Sequence, residues 1–252
     1  MFNDLASKEY IRNYWSNDAN SYNRSILSTM QSQKARNAWQ ELFTEVLGEK
    51  DLSILDVGTG PGVIALLLAE LGHNVTGMDY SYEMLSNAKK NALAYGLPVE
   101  FRQGDAENLP FQDGLFDAVV NRHVLWIVTK PEKAISEWQR VLKPGGRIVI
   151  VDGNWYRNEE SLKRNVWQYL SKFLILVTEH RDPRVEDLDK EFKEKLWSVK
   201  AKRPDLDVNF LANAGFKDIR VMNNIRSRTQ SWLEYLKNGY WGDIFLVTGT
   251  KQ

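Results

Sequence analysis

An α/β fold, with a parallel sheet covered by helices on both faces, follows from three features of this chain. Short apolar runs alternate with amphipathic stretches from residue 53 to residue 152. The runs are nearly continuous in hydrophobicity, as strands buried on both faces require. Glycines stand directly after the first run, where a strand passes into a helix in open α/β sheets. With 252 residues, 43% of them hydrophobic, the chain can bury about 70–75% of its unfolded surface without staples.

Residues 8–29 mix polar residues with Tyr10, Tyr14, Trp15 and Tyr22 and predict short helices. From Gln33 to Leu47, Ala35, Ala38, Trp39, Leu42, Phe43, Val46 and Leu47 recur at helical spacing, giving one amphipathic helix. Ser53–Val57 reads as a buried strand and Val63–Leu71 as a helix apolar nearly all round. Asn74–Asp79 is a second strand. A helix over Ser81–Tyr95 follows, with Ser81 as N-cap and Met84, Leu85, Ala88 and Ala92 inward. Val99–Gln103 and Leu115–Asn121 are the next strands. Pro131–Leu142 is a helix with Pro in its first turn, and Arg147–Asp152 is the fifth strand.

The rhythm breaks after Asp152. Residues 153–205 are charged and helical (Glu159–Thr178, Val185–Trp197), with Trp167, Tyr169, Phe173 and Leu174 as the expected inner face. Alternation resumes with helix Leu206–Ala214, strand Phe216–Met222, helix Gln230–Lys237 and strand Asp243–Gly249. We therefore expect residues 1–252 to form a single domain, with 153–205 as a helical insertion.

Lys+Arg and Asp+Glu each total 33. This neutrality disfavours a nucleic-acid partner, which calls for a basic excess. The chain has no Cys, which removes disulfides, thiolate nucleophiles, Cys-based zinc sites and iron–sulfur clusters and fits a cytoplasmic setting. Met1–Tyr10 carries Asp4 and Glu9 and has no apolar core, unlike a signal peptide. The greasiest run, Phe173–Val177, is too short for a bilayer, so no membrane is expected. His73 and His180 have no neighbours that point to a metal, and none is expected. Nothing in the pattern specifies an oligomeric state.

The informative segment is Asp56-Val57-Gly58-Thr59-Gly60-Pro61-Gly62. Glycines there let the backbone turn and lie against a ligand without a Cβ in the way. A dinucleotide fingerprint is G-x-G-x-x-G, whereas here the spacing is G-x-G-x-G, with Asp56 two residues before the first Gly. A pyrophosphate disfavours a nearby carboxylate. S-adenosylmethionine (SAM), with an ammonium, a sulfonium and no phosphate, suits Asp56 better. Asp79 ends the second strand, where a carboxylate accepts ribose hydroxyls in either ligand class. Gly104-Asp105-Ala106-Glu107 follows the third strand, where an acid accepts from an adenine amine. Leu142-Lys143-Pro144-Gly145-Gly146 is a helix stop and tight turn before the fifth.

Together with Asn108-Leu109-Pro110-Phe111, these motifs resemble the class I SAM-dependent methyltransferases, and most of all the small-molecule branch with the ubiquinone/menaquinone methyltransferases. The resemblance covers residues 10–152 well and 206–249 loosely. It implies a Rossmann-like, seven-stranded, mostly parallel sheet whose last strand runs antiparallel. It also implies methyl transfer from SAM, leaving S-adenosylhomocysteine, to N, O, S or C of a small molecule. By this resemblance Asp56, Gly58, Thr59, Gly60 and Gly62 hold the methionine part. Asp79 takes the ribose, Tyr80 or Met84 covers the adenine, and Asp105 with the Ala106 amide binds its amine. Asn121 and Arg122 lie near the methyl group. Tyr14, Trp15 and Tyr22 belong to an N-terminal lid over residues 1–30. The insertion departs from the quinone enzymes and is expected to act as a substrate lid.

His123 follows the fourth strand on the ligand side and is the candidate general base. Trp126, Trp155 and Tyr156 are the candidate acceptor-pocket aromatics. Three other readings stand beside this one: an NAD(P)-dependent oxidoreductase, a non-catalytic SAM-binding module and a protein methyltransferase.

Overall fold

The computed structural model describes residues 4–49, 51–155, 162–179, 188–239 and 242–252. Its strands are β1 Ser53–Val57, β2 Asn74–Asp79, β3 Val99–Gln103, β4 Phe116–Arg122, β5 Leu142–Gly153, β6 Lys217–Met222 and β7 Ile244–Thr250. They form a seven-stranded sheet in the order β3-β2-β1-β4-β5-β7-β6. β1 to β5 pair in parallel, and β7 runs antiparallel to both β5 and β6. The strand order reverses beside β1, so β1 and β4 open a crevice at their carboxyl ends, the usual ligand position in such sheets.

The helices are α1 Asp4–Gln31, α2 Gln33–Leu47, α3 Val63–Glu70, α4 Tyr82–Tyr95, α5 Pro131–Val141, α6 Leu162–Glu179, α7 Lys190–Lys195, α8 Trp197–Lys200, α9 Asp205–Asn213, α10 Ile225–Thr229 and α11 Trp232–Asn238. Side chains of adjacent strand residues enter opposite cores. Ile54, Ala118 and Val120 pack with α2 and α3, while Leu55, Val119 and Ile148 pack with α5 and α9.

Three expectations need correction. The N-terminal segment is one 28-residue helix, not several short ones. No Gly or Pro interrupts Asp4–Gln31, and the helix is docked along α4: Asn87 donates to the Ala19 carbonyl and Asn91 to the Asn23 side chain. β5 begins at Leu142, paired with Phe116, before the Lys143–Gly146 turn, and the register shifts before Arg147 pairs with Ala118. In α6, Trp167 and Leu174 are partly covered, but Tyr169 and Phe173 face solvent. That helix carries apolar residues on two faces, and α11 covers only one of them. Tyr156 and His180 lie outside the described residues.

Candidate active site

β1 runs into a loop whose glycines all take left-handed backbone angles, with φ of 66° at Gly58, 56° at Gly60 and 88° at Gly62. Side chains rarely adopt such angles. The loop is fixed from outside, because Thr59 N donates to the Met78 carbonyl and Gly60 N to Asp79 Oδ2 at 2.8 Å. Asp79 Oδ1 accepts from Ser81 N, and Ser81 in turn caps α4 by accepting from Met84 N. One carboxylate thus joins the glycine loop to the start of α4. Desolvation raises Asp79 above the usual carboxylate range, against the pull of the Ser81, Gly60 and Tyr80 N–H groups.

Asp56 is 1% exposed and accepts from the Thr59 hydroxyl at 2.6 Å. Burial pushes its carboxyl up to about 7, opposed by the Thr59 hydroxyl and the Arg122 charge. A buried acid held this way is poised to receive a cation.

Beyond this frame lies a cavity of about 850 Å³, its open mouth included, between the strand ends and α1. Gly58, Gly60, Asp79, Tyr80, Met84, Asp105, Ala106, Arg122, His123 and Tyr22 line it. A smaller adjoining space of about 270 Å³, which shares Tyr22, Gly58, Gly60 and Arg122 with the first, is lined also by Asp56 and Thr59. A Cβ built on Gly60 would point at Tyr22 and Met84, 3.8 and 4.0 Å away. The glycine therefore leaves open the gap that a nucleoside needs, and the donor set fits SAM: a buried carboxylate for an ammonium, Asp79 at a β-strand end for a diol, and Asp105 for an amine.

Several expected residues stand elsewhere. Gly62 caps α3 and packs on Ala88 rather than lining either space. Asn121 is buried within the sheet, and neither its amide nitrogen nor its oxygen has a hydrogen-bond partner among the described residues. Arg122, one residue on, points the opposite way and reaches the cavity, its guanidinium 5.6 Å from the Trp39 ring centre. Tyr14 packs edge-on against Trp15, and Trp15 rather than Tyr14 lines the cavity. Trp126 is buried and donates to the His123 carbonyl. Trp155 donates to Asp152 Oδ1 and sets its ring against His123 at 4.6 Å. Both tryptophans act behind His123, because their indole N–H groups are spent on the wall.

His123 has a φ of 61° and lines the cavity. Its Nδ1 lies 4.0 Å from Asp152 Oδ1. Burial, followed by the Arg122, Arg226 and Arg203 charges, holds the imidazole well below its usual range, so it is neutral at physiological pH. Asp152 is fixed by Trp126 N, Trp155 and Arg203, and Arg203 also pairs with Asp207.

On the α1 side, sequence reasoning placed Trp15 and Tyr22 over the site but missed Lys8, Ile11 and Arg12. Lys8 Nζ is 2.7 Å from both Asp105 Oδ2 and Glu107 Oε2. Glu107 is buried, and its other oxygen accepts from Thr129 N and Lys130 N at the start of α5. Arg12 lies 5.9 Å from the Tyr80 ring centre. Ile11 and Trp15 from α1 line the cavity and pack against the apolar cluster that contains Ile127. The insertion contributes Leu188, Phe192 and Leu196 to this cluster. Tyr10 stacks on Phe192 at 4.4 Å and accepts from Asp189 N.

Residues 55–150 match the model of a methyltransferase domain family. A demethylmenaquinone methyltransferase of Thermus thermophilus is 40% identical over 130 residues, 50% of this chain and 59% of that protein. This chain therefore spans about three-fifths of that relative's length. A second demethylmenaquinone methyltransferase, from Paenarthrobacter aurescens, is 30% identical over 226 residues, 88% of this chain and 79% of the relative. A solved structure from Thermotoga maritima, described as a possible histamine N-methyltransferase, is 20% identical and covers 96% of this chain and 99% of its own, with a TM-score of 0.60. That likeness shows a common fold. Fold, glycine loop and relatives agree: the chain belongs to the class I SAM-dependent methyltransferases and is related to their ubiquinone/menaquinone branch.

Proposed function

We propose that this chain transfers a methyl group from SAM to a small acceptor with an apolar body. One observation carries the reading. A single cavity is lined by Asp79, Asp105 and the glycine loop together with Ile11, Trp15, Ile127 and Val128, and His123 and Arg122 share its wall. In this reading Asp56 receives the ammonium of SAM, Asp79 accepts from the ribose hydroxyls and Asp105 from the adenine amine. SAM supplies an already activated methyl, so the protein's contribution is chiefly alignment, worth roughly 7–11 kcal/mol in favourable cases. α1 and the insertion exclude water by meeting around Ile127 in the cavity wall. His123, neutral and in the cavity wall, accepts the acceptor's proton where the acceptor carries one.

The relatives' activity on demethylmenaquinone makes a hydroxylated aromatic ring the first acceptor to try, and a methylated carbon the first product. The test is calorimetry with SAM, S-adenosylhomocysteine and NAD, followed by labelled-methyl transfer to demethylated quinones, phenols and amines. Micromolar binding of SAM and its product without NAD, and label in an aromatic acceptor, is the expected outcome. Binding of NAD instead overturns the reading. SAM binding with no label in any acceptor favours a non-catalytic SAM-binding module.

A further inference from the structure

We propose that α6 forms one half of a two-fold interface, and that its occupant is a second copy of this chain. One face of α6 is already fixed. Ser171 and Ile175 are buried, and Trp167 Nε1 donates to the Leu236 carbonyl of α11. On the opposite face Leu162, Val166, Tyr169, Leu170, Phe173, Leu176 and Val177 are between 48% and 78% exposed. Leu162, Val166, Tyr169, Phe173 and Leu176 follow one another at steps of four, three, four and three residues. That is the spacing of a helix that seats against another helix.

The area is that of a stable contact. Tyr and Phe carry about 150–250 Å² each and Leu and Val less. The seven at this exposure therefore present about 600–700 Å², or about 1,200–1,400 Å² over two copies, the low end of a standard interface. One partner in a standard interface contributes about 800 Å², whereas the largest apolar patch on a typical monomer is about 300–600 Å².

The stripe is also self-complementary. Run antiparallel to its own copy, it sets Leu162 opposite Val177, Val166 opposite Phe173 and Tyr169 opposite Leu170, so six of the seven pair with one another about an axis between the last two. A closed two-fold contact of this kind leaves no free end to propagate. Other occupants fit less well. The segments joined to the helix, 156–161 and 180–187, are polar and contain only Tyr156 and Val185 as larger apolar residues.

The test is sedimentation equilibrium on the full chain, with Tyr169→Glu and Phe173→Glu beside it. The expected result is twice the chain mass for the parent and the chain mass for both variants, with unchanged circular dichroism. A parent that stays at the chain mass at high micromolar concentration overturns the proposal, as does a dimer that neither variant disturbs. The chain lacks cysteine, so single cysteines map the pairing. Leu170→Cys, beside the axis, should oxidise to a covalent dimer. Leu162→Cys should do so only when mixed with Val177→Cys, because disulfides need close Cα approach. Equal self-linking of Leu162→Cys and Leu170→Cys overturns the antiparallel pairing. Flotation of monomers with neutral or anionic phospholipid vesicles overturns the proposal in favour of a lipid surface.

Discussion

Arg203 Nη2 lies 2.8 Å from Asp152 Oδ2, with both side chains removed from solvent. Arg203 also pairs with Asp207, and its guanidinium sits 4.9 Å from the Trp197 ring centre. This buried cluster ties the end of the insertion to the β5 end that backs His123. Arg203→Met should leave two buried carboxylates unpaired and destabilise the fold by about 3–5 kcal/mol. Urea unfolding of the variant against the parent measures this. A midpoint within error of the parent would show that the cluster holds nothing together.

Lys8 reaches Asp105 and Glu107 across the cavity mouth, so it both latches α1 and occupies an oxygen of Asp105. Lys8→Met removes the latch and leaves a buried Glu107 oxygen without its cation, at a cost of about 1–3 kcal/mol. Limited proteolysis should then cut within residues 10–25 several-fold faster in the variant. SAM should slow cutting in the parent. Equal rates in both proteins would show that α1 is held by its α4 contacts alone.

The legible and illegible parts of this molecule separate by sequence distance. Leu55, Val57 and Val119 are apolar because helices cover both faces of the sheet, so their strands read directly as short greasy runs. Ser81 announces α4 because its hydroxyl serves an N–H only three residues on. Lys8 gives no such signal, since its partner Asp105 is 97 residues away and depends on how α1 crosses the sheet. Arg203 is equally silent: only its spacing to Asp207 is local. Trp126 and Trp155 read as pocket aromatics from their strand-end addresses. Their N–H groups turn instead to the His123 carbonyl and to Asp152. In α6 the periodicity showed an apolar helix, but periodicity cannot say which of two apolar faces a neighbour will cover.

Gly58 and Gly60 share a left-handed backbone but differ in surroundings. A Cβ on Gly58 would stand 2.3 Å from Val124 Cγ2, whereas one on Gly60 meets only ordinary contacts. Gly58→Ala should therefore pay for both conformation and clash, losing about 1–3 kcal/mol of stability. Gly60→Ala should cost about 1 kcal/mol and act mainly on SAM affinity, because its methyl enters the cavity. Thermal unfolding and SAM titration of the two variants separate the effects. A reversal of the order would contradict the geometry.

His123 tests the chemistry. As a general base it matters only when the acceptor loses a proton, so His123→Ala should slow methylation of a hydroxyl by about 10²- to 10⁴-fold. Methylation of a neutral amine should change little. Rates unchanged on every acceptor would leave the residue a wall group.

Asp56 links the site to pH. Burial raises its carboxyl to about 7, against about 3.9 in an unfolded chain. Below about pH 4 both states hold the proton, and no penalty exists. Between about pH 4 and pH 7 the unfolded chain ionises while the folded one does not, so stability falls as pH rises and levels off above. Asp56→Asn removes this slope, and comparing unfolding midpoints across the window checks it. An ammonium seated against Asp56 favours its ionised form, so SAM binding near pH 6 should expel a proton. Calorimetry in two buffers of different ionisation enthalpy reads that proton as unequal heats. Asp56→Asn should bind SAM more weakly and with equal heats. Equal heats in the parent would place the ammonium somewhere other than Asp56.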